Sequence, residues 1–164
     1  MFNKILIANR GEIATRIIRT IREMNIRSVA VYSNCDRLAL HVRLADEAYC
    51  LGPSPSLDSY LDMGKILQAA ITCGADAIHP GYGFLAENAE FSGRCKENDI
   101  CFIGPSAEVM ELLGEKISAR RAAVKSGVPV IPGMEIELTD SDRVEKIAQD
   151  IGYPVMIKAA AGGG

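Results

Sequence analysis

The sequence is poor in histidine, and its cysteines are not paired in sequence. Only two histidines, His41 and His79, occur in 164 residues, and none of the five cysteines belongs to a C-x-x-C pair. Zinc sites usually draw their ligands from closely spaced cysteine and histidine pairs, so the spacing predicts no zinc site. An odd number of cysteines without a signal peptide is typical of a reducing compartment, and we expect a cytoplasmic protein. The cysteines are Cys35, Cys50, Cys73, Cys95 and Cys101.

Long apolar runs and a large excess of charge are also missing. No apolar run approaches the roughly 20 residues that a membrane-spanning helix needs. Residues 1–3, ahead of the first apolar run, leave no room for a signal peptide or a transit peptide. The formal net charge is −3, which gives no general attraction to nucleic acid or to an anionic membrane. We therefore expect a globular protein with neither a nucleic-acid nor a membrane partner.

The glycine fingerprint of dinucleotide-binding proteins is absent as well. In G-x-G-x-x-G the glycines follow the first strand and let the backbone approach a pyrophosphate. Here Gly11 is the one glycine among residues 8–12, and Glu12 would repel a pyrophosphate. An NAD-dependent dehydrogenase is therefore not expected. No nucleophile–base pair is evident. Glu12, Glu87 and Glu90 could include an acid or a base, but carboxylates near helix starts are more often caps.

What the sequence does contain is a regular alternation of short apolar runs and helical patterns. Such runs are typical of strands buried on both faces of a parallel sheet. We predict an α/β fold, an open, mostly parallel, doubly wound sheet with strand order 3-2-1-4-5. Asp36 is the predicted N-cap of the second helix, and Gly74 the predicted end of the third. Strands are predicted over 4–9, 28–33, 47–51, 75–78 and 100–103, and helices over 12–24, 37–44, 63–73 and 86–97.

The most unusual stretch is 77–88, Ala-Ile-His-Pro-Gly-Tyr-Gly-Phe-Leu-Ala-Glu-Asn. A strand enters a turn in which Pro80 fixes φ and supplies no N–H, while the glycines can take positive φ. The stretch is either a tight strand-to-helix connection alone or a ligand-facing loop. In the predicted order the first and fourth strands are neighbours. Residues 9–12 and 79–83 should then face one another at the crevice where strand order reverses.

The pattern changes after residue 106. Two helices are predicted over 107–113 and 116–126, then a linker with two prolines over 127–133, with boundaries near Leu113 and Pro132. A strand that runs into glycines without a pairing partner predicts a fragment cut inside a glycine-rich loop. The predicted elements beyond the linker are a cap at 140–142, a helix to 150 closed by Gly152, and a strand over 154–160 that enters Gly162, Gly163 and Gly164.

Two lysines in this second part are candidates for binding phosphate. Lys158 lies within the terminal apolar strand, where a charge needs a partner, and three glycines follow it. A lysine is a compact point charge suited to phosphate oxygens, and the N–H groups of a glycine loop can surround them. Lys116 stands at the start of a helix and, taken alone, is more often a solvated helix residue.

Five stretches, in order along the chain, resemble biotin carboxylases. The resemblance extends from residue 4 to residue 164, and several motifs in register are more specific than any one of them. Glu115 replaces the family's usual aspartate but keeps its charge. Ala160 and Ala161 differ from the residues that the family most often has before the glycines. The stretches are K-I-L-I-A-N-R-G-E-I-A at 4–14, H-P-G-Y-G-F-L-A-E-N at 79–88, F-I-G-P at 102–105, G-E-K at 114–116 and Y-P-V-M-I-K-A at 153–159.

The resemblance implies two parts, a Rossmann-like amino-terminal domain over 1–113 and the beginning of an ATP-grasp domain over 114–164. In this family MgATP activates bicarbonate as carboxyphosphate, and CO₂ is then transferred to N1 of biotin held on a carrier protein. The resemblance further implies site residues: Lys116, Lys158, Gly162, Gly163 and Gly164 toward ATP, Tyr82 and Gly83 on the biotin and bicarbonate side, and His79 and Glu87 as supports of that loop.

The family's magnesium ligands, bicarbonate-binding residues and catalytic base would lie beyond Gly164. No catalytic or metal-binding residue is therefore expected in this chain, and the isolated fragment is expected to be inactive. The implied partners are a biotin carboxyl carrier protein, a second copy in a homodimer and a carboxyltransferase subunit, within an acetyl-CoA or pyruvate carboxylase. Two alternatives stay open: another ATP-grasp ligase of the carbamoyl-phosphate synthetase type, or a non-catalytic binding or dimerisation module.

Overall fold

A computed structural model of the chain describes residues 1–114, 116–130 and 141–156. The chain divides into two compact units, Met1–Met110 and Glu111–Gly164. Within the described ranges, no helix combines the length and the apolar character that crossing a membrane requires.

The first unit is built on five strands: β1 (Lys4–Ile7), β2 (Arg27–Ser33), β3 (Glu47–Gly52), β4 (Ala77–His79) and β5 (Cys101–Phe102). They form one sheet in the order β3-β2-β1-β4-β5, and every neighbouring pair is parallel. Both the strand order and the parallel sheet predicted from the alternation of apolar runs and helices are confirmed.

Four helices connect the strands: α1 (Gly11–Glu23), α2 (Leu40–Leu44), α3 (Met63–Cys73) and α4 (Ala89–Glu97). A further helix, α5 (Ala107–Gly114), follows β5. The third helix shows the local rules that set its ends. Asp62 caps its start, because the carboxylate accepts a hydrogen bond from the Lys65 N–H at 3.0 Å. Gly74 ends it as predicted, with a φ of 64° in the left-handed region that favours glycine.

The core lies on both faces of the central strand β1. Ile5 and Ile7 pack with the isoleucines of α1, whereas Leu6 packs with residues of α3 and α4. All three are at most 4% exposed. Burying one such side chain stabilises the fold by about 1.5–3 kcal/mol relative to leaving it in water. The uninterrupted apolar run at the start of the sequence thus reflects burial from two sides.

The second helix is shorter than predicted, and the prediction that Asp36 caps it is wrong. α2 begins at Leu40, while Asp36 ends a separate 3₁₀ turn, Asn34–Asp36. The Asp36 carboxylate instead accepts hydrogen bonds from Ser33 Oγ at 2.9 Å and from the Tyr60 hydroxyl at 2.7 Å. Tyr60 lies 24 residues away, so a tertiary contact overrides the local capping preference of aspartate.

The fourth helix begins later than predicted, at Ala89 instead of residue 86. Asn88 is its N-cap and accepts a hydrogen bond from the Phe91 N–H at 2.8 Å. Residues 83–88 form turns closed by hydrogen bonds between residues three apart. Glu87 therefore lies in the turn before the helix and not in its first turn, because the asparagine side chain competes successfully for the helix start.

The second unit contains α6 (Lys116–Lys125) and α7 (Ser141–Ile151), both close to their predicted bounds. Gly152 follows α7 with a φ of 90°, as expected of a residue that ends a helix. Residues 154–156 of the predicted final strand are not in a strand, since they have no ladder partner within the described part of the chain. Residues 157–160, the cap residue Asp140 and linker residues 131–133 lie outside the described residues.

Candidate functional site

Two loops meet at the carboxyl edge of the sheet, where β1 and β4 end side by side. Ile7 pairs with His79, and the Ala8 N–H donates a hydrogen bond to the His79 carbonyl at 2.9 Å. The residues that follow, 9–12 and 80–83, leave the sheet at the same place, as predicted from the strand order. Strand order reverses here, with β2 on one side of β1 and β4 on the other. Doubly wound sheets bind their ligands at such a point.

Asn9 joins the two loops through its side-chain amide. The residue is 4% exposed. Its Nδ2 donates hydrogen bonds to the carbonyl of Pro80 at 2.7 Å and to that of Tyr82 at 2.8 Å. Its Oδ1 accepts a hydrogen bond from the Arg10 N–H at 2.9 Å. The turn after β4 is thereby attached to the end of β1.

Gly81 occupies a place in this turn that a side chain could not. Its φ is 68°, and a Cβ at this position would lie 2.8 Å from Asn9 Nδ2. Its N–H donates to His79 Nδ1 at 3.1 Å, so that nitrogen carries no proton. Burial and, to a smaller degree, Arg16 lower the pKa of His79, which favours this neutral form. His79 therefore supports the loop through a direct contact.

Tyr82 points outward from the turn and is 60% exposed. Its hydroxyl donates to the carboxylate of Glu12, in the first turn of α1, so the side chain is held at both ends. Gly83 follows with a φ of 65°, and a Cβ there would meet no atom within 4 Å. An exposed aromatic ring beside an open stretch of backbone is a surface that a small planar ligand can contact.

Arg10 belongs to a second cluster at the same edge, which the sequence motifs did not predict. Its guanidinium lies 5.3 Å from the centre of the Tyr60 ring and 5.6 Å from that of Phe84. The two rings stack on one another, with centres 5.3 Å apart and planes 7° apart. Arg10 also forms an ion pair of 3.4 Å with Asp36. Two members of the cluster lie within the quoted motifs, Arg10 at 4–14 and Phe84 at 79–88, but nothing in those motifs indicated that they meet.

Electrostatics in this cluster favour an ionised aspartate beside a neutral tyrosine. Burial raises the pKa of the Asp36 carboxyl, but hydrogen bonds from Tyr60 and Ser33 and the Arg10 guanidinium outweigh burial and hold that pKa below its usual value. Burial and the hydrogen bond to Asp36 raise the pKa of Tyr60 far above its ordinary value. The Tyr60 hydroxyl therefore stays a donor to Asp36, and it accepts a hydrogen bond from the Ser33 N–H at 3.1 Å.

Residues 1–110 match the family model described as biotin carboxylase, N-terminal domain. The chain belongs to the biotin carboxylase family. Residues 115–164 match the model described as carbamoyl-phosphate synthase L chain, ATP binding domain. The family resemblance drawn from the five sequence motifs is thereby confirmed.

Curated relatives are named as biotin carboxylases or as subunits of other carboxylases. The biotin carboxylase of Halalkalibacterium halodurans is 56% identical over 164 residues, which are 100% of this chain and 36% of that protein. A pyruvate carboxylase subunit of Methanothermobacter thermautotrophicus is 54% identical over 165 residues, covering 100% of this chain and 33% of that protein. This chain thus spans about a third of the length of these relatives.

Solved structures give the same family and the same fold. The biotin carboxylase–β,γ-ATP complex of Campylobacter jejuni has a TM-score of 0.94 and 49% identity, covering 100% of this chain and 37% of that one. A second structure is the biotin carboxylase domain dimer of Hydrogenobacter thermophilus 2-oxoglutarate carboxylase, with MgADP, ADP and bicarbonate. It has a TM-score of 0.92 and 50% identity, and the match covers 100% of this chain and 36% of that one.

Some of the residues expected at a biotin carboxylase site lie within the described ranges. Tyr82 and Gly83 lie side by side at the crevice, and Lys116 is the first residue of α6 in the second unit. Glu87, the other expected support of the loop, lies on the exposed surface. Among the described residues, no three His, Cys, Asp or Glu side chains are grouped so as to hold a metal ion. The remaining expected residues lie outside the described ranges: Lys158, Gly162, Gly163 and Gly164.

Proposed function

We propose that this chain is the amino-terminal portion of a biotin carboxylase, which uses ATP and bicarbonate to carboxylate carrier-bound biotin by way of carboxyphosphate. The observation that carries the proposal is the match of residues 1–110 to the biotin carboxylase N-terminal domain together with whole-chain identities above 50%. The product would serve an acetyl-CoA or a pyruvate carboxylase. Relatives named as a propionyl-CoA carboxylase alpha chain and as a pyruvate carboxylase subunit support such a role.

Tyr82 and Gly83 would form the biotin and bicarbonate side of the site. The room for a substrate is there, because Tyr82 is 60% exposed and nothing lies within 4 Å of a Cβ placed on Gly83. The Tyr82 ring would supply apolar contact, and the Glu12 carboxylate would fix its hydroxyl. His79 would keep the backbone of the turn in place through its bond to Gly81.

Lys116 and Lys158 would contact ATP, with Gly162, Gly163 and Gly164 placing backbone N–H groups around its phosphates. Two ammonium groups and a ring of N–H donors are the groups that phosphoryl transfer needs near the γ-phosphate. A magnesium ion, held by ligands beyond this chain, would supply further positive charge. The relatives solved with β,γ-ATP and with MgADP support this assignment.

The domain boundary would fall between residues 113 and 114, with an amino-terminal domain over 1–113 and the start of the ATP-grasp domain over 114–164. Family models that match 1–110 and 115–164 support this division. The partners would be a biotin carboxyl carrier protein and a carboxyltransferase subunit, in the cytoplasm, with the enzyme acting as a homodimer. A dimer of the Hydrogenobacter thermophilus domain supports the last point.

The test is a chimera in which this chain replaces the matching segment of the Halalkalibacterium halodurans biotin carboxylase. We expect the chimera to release phosphate from ATP in a manner that depends on both biotin and bicarbonate. The Lys116→Ala variant should raise the KM for ATP about tenfold or more, because a hydrogen bond to a charged group contributes roughly 1.5–3 kcal/mol. Its KM for biotin should change less than twofold.

Lys125→Ala is the matched control, since Lys125 is an exposed lysine at the other end of the same helix. It should leave both constants unchanged. A chimera without biotin-dependent activity would contradict the proposed function. An active chimera in which Lys116→Ala leaves the KM for ATP unchanged would contradict only the role of Lys116.

A further inference from the structure

The side chain of Asn9 gives both of its N–H donors to the turn after β4. It is 4% exposed, and its Nδ2 lies 2.7 Å from the Pro80 carbonyl oxygen and 2.8 Å from that of Tyr82. Its Oδ1 accepts from the Arg10 N–H at 2.9 Å. Both amide donors and the amide acceptor are therefore engaged, as the burial of a polar group requires.

These bonds determine the direction in which Tyr82 points. The carbonyls on both sides of Gly81 are turned inward toward the same amide. The backbone of Tyr82 is thereby attached to the end of β1, while its ring lies 60% exposed on the outside. Gly81 has no Cβ to push the amide away, and one placed there would lie 2.8 Å from Asn9 Nδ2.

We propose that Asn9 is a positioning residue for the biotin side of the site, holding Tyr82 and Gly83 in the conformation that receives the substrate. The proposal rests on the proposed function, because that function makes this turn a substrate wall. Asn9 would not touch the substrate. Holding the turn in advance avoids the entropic cost of ordering it when the substrate binds.

An aspartate cannot replace this asparagine, although it has nearly the same shape. Asn9→Asp puts an oxygen where Nδ2 lies, within 2.7–2.8 Å of two carbonyl oxygens. Two attractions become two repulsions, and the turn must move away from the end of β1. A carboxyl group in such a place is protonated more readily than usual, and its O–H can then donate to one carbonyl. Low pH should therefore restore one of the two hydrogen bonds to the turn that the substitution removes.

The experiment measures steady-state kinetics of the chimera with Asn9→Asp. We expect kcat/KM for biotin to fall by about tenfold or more, since a displacement of ~1 Å at a reacting site can cost about a hundredfold. The KM for ATP should change less than twofold, and the biotin defect relative to the unsubstituted chimera should shrink as pH is lowered. Asn98→Asp is the matched control, because it removes one exposed amide bond, to the Arg94 carbonyl at 2.8 Å. It should leave both constants unchanged.

A second variant reaches the same contact from the other side. Gly81→Ala pushes a Cβ into the Asn9 amide. Like Asn9→Asp, it should lower kcat/KM for biotin while changing the KM for ATP less than twofold. Gly74→Ala is its control, because Gly74 has a similar φ of 64° but open space at the Cβ. That substitution should lower stability without changing the KM for biotin.

A structural measurement separates failure of this proposal from failure of the proposed function. Amide hydrogen exchange on the chain itself should be faster over residues 81–84 in Asn9→Asp and unchanged in Asn98→Asp. Exchange that stays the same at 81–84 would overturn the positioning role whatever the enzyme does. Equal changes in the biotin and ATP constants would also overturn it, whereas an unsubstituted chimera without biotin-dependent activity would overturn the proposed function.

Discussion

His41 is a fully buried ionisable residue on α2. It is 1% exposed, and its Nε2 lies 3.3 Å from the Val31 carbonyl oxygen. Because a carbonyl can only accept, Nε2 carries the proton and Nδ1 has none. Among the described residues, His41 Nδ1 is the one buried side-chain nitrogen or oxygen without a hydrogen bond. A second proton would therefore be added to a buried atom with no acceptor beside it.

This arrangement predicts a loss of stability on acidification. Burial lowers the pKa of His41 below its ordinary value of 6.5, and Arg10 adds to the effect, while the Val31 carbonyl and Asp36 oppose it. The unfolded chain then binds more protons than the folded chain just below pH 6.5, so the stabilisation is full above that pH and declines as pH falls. His41→Gln should flatten the fall in unfolding free energy between about pH 7 and pH 5. The measurement is urea unfolding at several pH values.

His79 is the other histidine, and its pKa is also lowered. His79→Gln in the same experiment separates its share from that of His41. A His41→Gln variant whose pH dependence is as steep as before would show that the acid sensitivity comes from other groups.

Single residues at the site differ in how far the sequence could predict them. The loop at 79–88 was evident because proline, glycine and tyrosine crowd into one turn. The contact of Asn9 with Pro80 spans 71 residues, and that of Asp36 with Tyr60 spans 24. Such contacts depend on how elements pack, and local preference points elsewhere, as with Asp36. The packing of Arg10 on two stacked rings has no local signature at all.

The predicted bounds of a helix agree with the observed ones where a single local signal marks each end. α3 has the predicted bounds because Asp62 and Gly74 mark its two ends without competition. α2 and α4 begin three residues later than predicted, because Asp36 is engaged elsewhere and Asn88 caps the later start. The order of the strands was predictable, since short parallel connections allow few arrangements.

The cap of α3 can be tested as an isolated element. Asp62→Ala should lower the free energy of unfolding by about 1 kcal/mol, because it removes the acceptor of the Lys65 N–H. Asp62→Asn keeps that acceptor and should have a much smaller effect. Asp62 also forms an ion pair of 3.4 Å with the Lys65 ammonium. Equal losses in both variants, measured by urea unfolding, would assign the stabilisation to the ion pair and not to the cap.

The whole chain combines a five-stranded parallel sheet with a second unit whose described elements are helices. The sheet unit carries the loop that we propose for the biotin side, and the second unit, which begins at Glu111, contains α6 with Lys116 as its first residue. The relatives it matches are about three times longer. Since the resemblance places the magnesium ligands and the catalytic base beyond Gly164, binding groups and catalytic groups would be divided along the sequence of the enzyme.

This division predicts that the 164-residue chain does not hydrolyse ATP in response to biotin and bicarbonate. Lysines and glycine N–H groups can hold phosphates, but without metal ligands and a base they do not supply the charge and proton transfer that the reaction needs. Phosphate release should equal that of the Lys158→Ala variant, measured beside the active chimera. Activity above that variant would place catalytic groups within this chain. Glu12, which already bonds to Tyr82 at the crevice, would then be the first carboxylate to replace.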